Sequence, residues 1–216
     1  RPNYLKVRNI RNEYPGVPII ALTATATNKI EADMKDILNL QNPKIFKRSF
    51  LRENLNISIK DRNKDTVKTI SCLLHNRYEN QSAIIYAHSR KECEKLSKSL
   101  KELGIKADFF HAGLSAKKRN EVQSGWLVND IQVICATIAF GMGIDKADVR
   151  VVFHYNLPKS IEGYYQEIGR AGRDGDPADC ILYYSYQDKI VYEKMHISEM
   201  KNNKSNPFYK QKKIDN

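Results

Sequence analysis

No two of the four cysteines, Cys72, Cys93, Cys135 and Cys180, stand at metal-ligand spacing, and no C-x-x-C occurs. That pattern excludes a zinc knuckle or a thioredoxin-like redox pair built from these residues. The cysteines read instead as reduced, packed side chains of an intracellular protein. No apolar run reaches the length of a membrane span, which excludes a membrane-spanning helix, and no membrane partner is expected. There is no signal peptide. The first residue is Arg1 rather than methionine, so the expectation is a piece of a longer chain. There is also no G-x-x-x-x-G-K-[ST], the loop whose backbone N–H groups cradle nucleotide phosphates. The lack of a glycine-rich first turn counts against a small-molecule α/β transferase as well.

What is present is an alternation of helical and strand-like segments. Residues 4–14 read as helical and end at Pro15-Gly16. Val17-Pro18-Ile19-Ile20-Ala21-Leu22 reads as a short buried strand running into Thr23-Ala24-Thr25-Ala26-Thr27. Asn28 with Glu31 three residues on makes a capping box. The helix that follows carries Ile30, Met34, Ile37 and Leu38 on one face, and Asn42-Pro43 stops it. Hydroxyls thus fall at the carboxyl end of a strand, where α/β sheets place their chemistry. Residues 44–50 and 55–60 read as strands on either side of Leu51-Arg52-Glu53-Asn54, a stretch suited to a domain boundary, and residues 64–78 read as a helix.

Ser82-Ala83-Ile84-Ile85-Tyr86-Ala87-His88 is the next buried strand. Ser89 opens a helix, and Glu92 completes a second capping box. Cys93, Leu96, Leu100 and Leu103 line one face, and Gly104 ends the helix. Residues 107–111, 131–136, 149–155 and 180–184 read as further strands. Between them Ser115 caps a helix anchored by Val122 and Trp126, and Ser160 starts a short one. Tyr164, Tyr165 and Trp126 read as core rather than as base-stacking platforms. From Gln187 the register changes: residues 189–200 read as helical, and 201–207 as a polar, mobile stretch. Strict alternation argues for a doubly wound α/β fold, a parallel sheet with helices on both faces and right-handed crossovers.

The densest chemistry lies in Tyr164-Tyr165-Gln166-Glu167-Ile168-Gly169-Arg170-Ala171-Gly172-Arg173-Asp174-Gly175. Two arginines stand three apart, each behind a glycine. On a helical turn that spacing puts both guanidiniums on one face. A guanidinium is always charged and fits phosphate oxygens bidentately. Two readings stand: a phosphate clamp at the edge of a cleft, or a glycine-rich helix end whose arginines pair with Glu167 and Asp174. The whole chain has 36 Lys and Arg against 25 Asp and Glu, a net charge of +11 over 216 residues. That balance favours a polyanionic partner, most simply nucleic acid.

Five segments, taken together and in order, resemble helicase motifs. Ala21-Leu22-Thr23-Ala24-Thr25-Ala26 resembles motif III, and Ile84-Ile85-Tyr86 through Ser89-Arg90 resembles motif IV. Phe110-His111-Ala112-Gly113-Leu114-Ser115 resembles motif IVa. Ala136-Thr137-Ile138-Ala139-Phe140-Gly141-Met142-Gly143-Ile144-Asp145-Lys146 resembles motif V, and Tyr164 to Gly175 motif VI. The set is similar to the RecQ family of superfamily-two DNA helicases, and to its eukaryotic Bloom-type members most closely. The resemblance covers roughly residues 1–190. It implies a RecA-like fold and three parts: residues 1–43 as the end of a first RecA-like domain, 44–186 as the second, and 187–216 as the start of a zinc-binding region. The family holds its phosphate-binding loop and its magnesium-binding D-E-x-H in the first domain, and neither occurs here. ATP and Mg²⁺ are therefore expected as ligands of a longer protein, zinc beyond Asn216, and little ATPase activity from these residues alone.

By the same resemblance Arg173 is the arginine finger and Arg170 binds phosphate beside it, with Gln166 orienting the γ-phosphate or the attacking water, or standing as a helix-surface amide. Asp145, with Gly143, matches the position that contacts the nucleotide; a carboxylate suits a ribose hydroxyl as a pure acceptor, and a turn cap is the other reading. Hydroxyls and backbone amides at strand ends suit a phosphate track, for which Ser89, Arg90 and Thr137 are the candidates; Ser89 also caps its helix. His111 and Lys146 complete the expected DNA set, the first read more readily as a packed strand-end histidine than as a contact and the second also readable as a steering charge only. Thr23 and Thr25 resemble the residues that couple nucleotide state to strand separation. The implied function is the C-terminal lobe of an ATP-dependent 3′–5′ DNA helicase. The implied partners are single-stranded and branched DNA and the first RecA-like domain, with DNA repair and recombination in the nucleus as the setting. The alternative is a non-enzymatic nucleic-acid-binding α/β module, which accounts for charge and fold but not for the G-R-A-G-R cluster.

Overall fold

The computed structural model describes residues 7–23, 27–47, 49, 51–141 and 144–194. The chain divides into two compact units, 1–52 and 53–216, so the division falls within the Leu51–Asn54 stretch.

The first unit holds two helices. In α1 (Arg8–Glu13) the chain is turned by Arg11, whose Nη1 donates to the carbonyls of Pro15 and Val17 at 3.0 and 3.1 Å. In α2 (Asn28–Ile37) the cap is Thr27, not the expected Asn28: the Thr27 hydroxyl accepts from the Ile30 amide, and Asn28 is already helical. Glu31 turns instead to Lys35 and Lys47, whose hydrogen bonds hold its carboxyl down at about 2. The strands expected at 17–22 and 44–50 are not formed at the described positions, and Ile20, Leu22 and Phe46 are exposed. A buried strand needs neighbours for its backbone groups, and among the described residues of this unit none is present.

In the second unit every strand is parallel. Strands β1 (Leu55–Asp61), β2 (Ser82–Tyr86), β3 (Ala107–Phe110), β4 (Val133–Ala136), β5 (Val149–His154) and β6 (Ala178–Tyr184) stand in the order β1-β6-β5-β2-β4-β3. Helices α3 (Thr66–Asn76) and α4 (Arg90–Glu102) cover one face, burying Ile70, Leu74, Cys93, Leu96 and Leu100 against Ile85, Cys135, Phe153 and Ile181. Helices α5 (Ala116–Leu127) and α6 (Ile161–Ile168) cover the other, with Val122, Trp126 and Ile168 against Ile84, Ile134, Val152 and Cys180. Burial on both faces is why the central strands read as unbroken apolar runs rather than alternating ones. The doubly wound sheet expected from the sequence is therefore present. A further helix occupies residues 186–194.

Local chemistry sets the helix starts. The hydroxyls of Ser89, Ser115 and Ser160 accept from the amides of Glu92, Lys118 and Gly163 at 3.1, 3.2 and 3.0 Å. Each such cap is worth about 1 kcal/mol. Gly104, at φ +83°, turns the chain out of α4. Leu103, expected on the apolar face, is exposed because the helix has already ended at Glu102.

Trp126 is fully buried, edge-on to Phe140 with ring centroids 5.3 Å apart. Replacing Trp126 by alanine is expected to cost about 3–5 kcal/mol of stability, read as a lowered urea midpoint of unfolding.

Candidate nucleotide and nucleic-acid site

Two ends of one sheet carry the residues in question. At the carboxyl end, β2, β4 and β5 meet where the winding reverses: β3 and β4 lie on one side of β2, β5 and β6 on the other. Doubly wound sheets bind ligands at such a point. A cavity of about 150 Å³ opens there, bordered by His88, Thr137, Asn156, Lys159 and Tyr192, with Tyr86, His154 and Glu167 beneath. Ser89 and Arg90 are exposed at the same end, and Thr137 is half-buried. Arg90 lies over Gly113, where an added Cβ would stand 2.9 Å from its Nη1, so the segments after β2 and β3 are drawn together. Burial holds the His88 imidazole below its ordinary value, with Glu92 pulling the other way.

Two of the expected DNA residues have partners inside the domain. His111 is buried, its Nε2 3.0 Å from Glu94 Oε1 and its ring stacked on Phe109. Lys146 is buried too: its Nζ donates to the Leu127 carbonyl and to Asn129 Oδ1, pairs with Asp148 at 3.2 Å and lies over the Trp126 ring. Both side chains are largely withdrawn from solvent. Helix α5 needs a partner for its last carbonyls, and Lys146 supplies it.

The arginine cluster lies at the opposite, amino end. The Gly172 amide donates to the carbonyl of Val149, the first residue of β5. Asn54, just before β1, donates from Nδ2 to the carbonyls of Gly172 and Asp176 at 2.8 and 2.9 Å. Helix α6, about 12 Å long, begins at the carboxyl end and delivers this turn to the amino end. The turn is not helical, as Gly172 sits at φ +54°, so the two guanidiniums do not share one helix face. Arg170 turns inward and is half-buried, with Nη2 3.1 Å from where a Cβ on Gly141 would stand. It also reaches Tyr86: burial pushes that phenol well up, and the Arg170 charge opposes the shift. Arg173 stays outward, donating from Nη1 to the Ile144 carbonyl at 3.0 Å and to Asp145 Oδ1 at 3.1 Å. Its partner is itself open to solvent, the Asp145 side chain being 92% exposed.

The acids that would have tied up this pair are engaged elsewhere. Glu167 is held by buried His154, Nε2 to Oε2 at 2.8 Å. Asp174 is held by Arg150. Gln166 is exposed on α6. Gly143 and Thr25 lie outside the described residues, and Thr23 is exposed in the first unit. Among the described residues no group of His, Cys, Asp or Glu could hold a metal ion.

A family described as "Helicase conserved C-terminal domain" matches residues 65–175, the span of β2 to β5 and the arginine turn. The chain belongs to that family. Three relatives place it further. The chain is 51% identical to "RecQ-like DNA helicase blm-1" of Caenorhabditis elegans over 90% of its own length and 20% of that protein's. It is 47% identical to "ATP-dependent helicase SGS1" of Saccharomyces cerevisiae over 87% and 13%. It is 46% identical to "RecQ-like DNA helicase BLM" of Xenopus laevis over 87% and 14%. The chain thus spans a fifth or less of these relatives. Among solved structures, S. cerevisiae Dbp5 bound to RNA and ADP BeF3 superposes with a TM-score of 0.66 over 80% of this chain and 46% of that one, at 20% identity, a likeness of fold. E. coli DEAD-box protein SrmB bound to the regulator RraA gives 0.53 at 27% identity over 59% and 75%.

The helicase C-terminal domain contains site residues that sequence reasoning passed over: Asn54, Tyr86, Arg150, His154 and Glu167. One signal was available. Arg150 is a charge inside the buried run of β5, and a buried charge must be paired. The others need tertiary contacts to be seen. A Cβ on residue 172 would stand 2.6 Å from Asn54 Nδ2 and 2.6 Å from the Asp176 carbonyl, at a φ that disfavours any side chain. Gly172→Ala is therefore expected to destabilise the domain by at least about 1–3 kcal/mol, measured by urea unfolding.

Proposed function

We propose that this chain is the second motor lobe of a RecQ-type, ATP-dependent DNA helicase. The observation that carries the reading is the Arg170–Arg173 turn: Glu167 and Asp174 are engaged by His154 and Arg150, while Arg173 is paired only with the Ile144 carbonyl and the solvent-exposed Asp145. Phosphoryl transfer spreads negative charge over the γ-phosphate oxygens, and a guanidinium presented across a cleft stabilises that charge. Arg173 does this by leaving Asp145 for phosphate. Arg170, anchored by its packing on Gly141, holds a second positive charge beside it, and Gln166 stands on the same helix to orient water or phosphate. Asp145, freed of Arg173, is an acceptor for a ribose hydroxyl. The upstream RecA-like domain contributes the phosphate loop and the acidic residues for Mg²⁺; the zinc-binding region starts within residues 187–216, with its zinc ligands beyond Asn216.

At the other end of the sheet, Ser89, Arg90, Thr137 and the backbone amides beside them form the track for single-stranded DNA. That edge carries hydroxyls and cations and an open cavity, which suits phosphate contacts without base reading. Closing of two lobes on ATP and reopening after hydrolysis moves the track along the strand, 3′ to 5′, with Thr23 and Thr25 coupling the steps. Branched DNA in the nucleus is the proposed setting.

Residues 1–216 alone are expected to show almost no Mg²⁺-dependent ATPase activity, and a chain including the upstream domain a DNA-stimulated one. In that longer chain Arg173→Ala should lower turnover roughly 10³-fold with DNA affinity retained; unchanged turnover would leave the binding-module reading. Single-strand affinity should fall steeply between low and high salt, since each phosphate contact releases counterions; a flat response in a salt titration removes the phosphate track.

A further inference from the structure

Arg150 is the second residue of β5, and its side chain is only 14% exposed. All three of its nitrogens are engaged. Nε donates to the Asp148 carbonyl at 3.3 Å, Nη1 to the Pro177 carbonyl at 3.4 Å, and Nη2 to the Ala147 carbonyl at 3.4 Å and to Asp174 Oδ2. Nη1 also lies 3.7 Å from Asp176 Oδ2. A single guanidinium thus grips two segments that flank Arg173: the end of the loop entering β5 and the turn leading to β6. The Asp174 amide closes the same junction by donating to the Ala147 carbonyl.

Charge makes the arrangement more than a fastening. Asp174 is the chain neighbour of Arg173, and Asp176 lies two residues on. Left free, the Asp174 carboxylate would compete for the Arg173 guanidinium and repel a triphosphate. Its hydrogen bond to Arg150 holds the carboxyl below the usual range, and the two are paired side chain to side chain.

We propose that Arg150 is a positioning residue for ATP hydrolysis: by occupying Asp174 and pinning residues 147–148 to 174–177, it presents Arg173 to the nucleotide phosphates with the exposed Asp145 as the partner to be released. The inference rests on the reading of Arg173 given above.

The test uses the full-length protein and compares Arg150→Gln, Arg150→Lys, Arg150→Gln with Asp174→Asn, and Arg173→Ala in steady-state, DNA-stimulated ATP hydrolysis. Arg150→Gln should lower kcat by at least about tenfold, the scale of a small misplacement of a reacting group, with single-stranded DNA affinity unchanged. Adding Asp174→Asn should restore much of that loss, because the competing carboxylate is gone. Arg150→Lys, a point charge without the fork, should fall between. Wild-type kcat in Arg150→Gln overturns the proposal, and so does a loss that Asp174→Asn leaves in place or deepens, which would mark loop packing alone. Should Arg150→Gln fail to fold, Arg150→Lys with and without Asp174→Asn decides by the same criterion: a reduced kcat restored by the second change supports the proposal, and a wild-type or unrestored kcat overturns it. Arg173→Ala separates the two readings. Wild-type turnover there removes the finger itself, whereas a loss there beside wild-type Arg150→Gln removes only the role of Arg150.

Discussion

An arginine can serve a phosphate only while nearby carboxylates are held by something else, and that constraint organises the arginine turn of this domain. Glu167 and Asp174 lie within reach in sequence of Arg170 and Arg173, yet one is paired with His154 and the other with Arg150. Both partners are rooted in β5, His154 at its last residue and Arg150 at its second. The strand thus supplies the partners that engage the carboxylates of Glu167 and Asp174. Arg173 is left with Asp145, an acid so open to water that their pairing is weakly stabilising and readily exchanged. A stronger private partner would give a quieter surface and a poorer phosphate site.

The sheet separates two tasks by its own length. β2 has five residues, about 16 Å of extended chain, and the residues suited to a nucleic-acid backbone stand at one end while the arginine turn stands at the other. Two segments cross that distance on the same face, α6 and the loop from Thr137 to Asp148. They touch through a buried set: Tyr86 donates to the Phe140 carbonyl, stacks on His154 and lies beside Arg170, while His154 holds Glu167. These contacts are contiguous from the cavity at the carboxyl end to the inner arginine.

Much of this architecture was legible in the chain. The unbroken apolar runs at 82–86 and 133–136 and the serine caps at 89, 115 and 160 depend on local chemistry, and local chemistry decided them. The arginine turn was legible as a cluster of two guanidiniums but not in its geometry, because the left-handed Gly172 is imposed by Asn54 and the β6 entry, far away in sequence. Lys146 and His111 look like ordinary surface charges until tertiary packing buries them against Trp126 and Phe109. The strands expected in the first unit rest on composition alone; their apolar residues are exposed in the described structure. His154 and Glu167 carry no sequence signal of partnership, since their pairing is made by the docking of α6 on the sheet.

The helix at 186–194 has one more consequence. Asp188 is almost wholly buried and accepts from Arg62, from the Leu157 amide and from the Ser185 amide, while the Tyr192 hydroxyl donates to the Leu157 carbonyl. The helix is thus fastened to the rest of the domain by Arg62 and by both backbone groups of Leu157, while the Ser185 contact closes its own first turn. A helix fastened in this way moves with the sheet: a displacement of the β5 exit at Leu157 carries residues 186–194 with it.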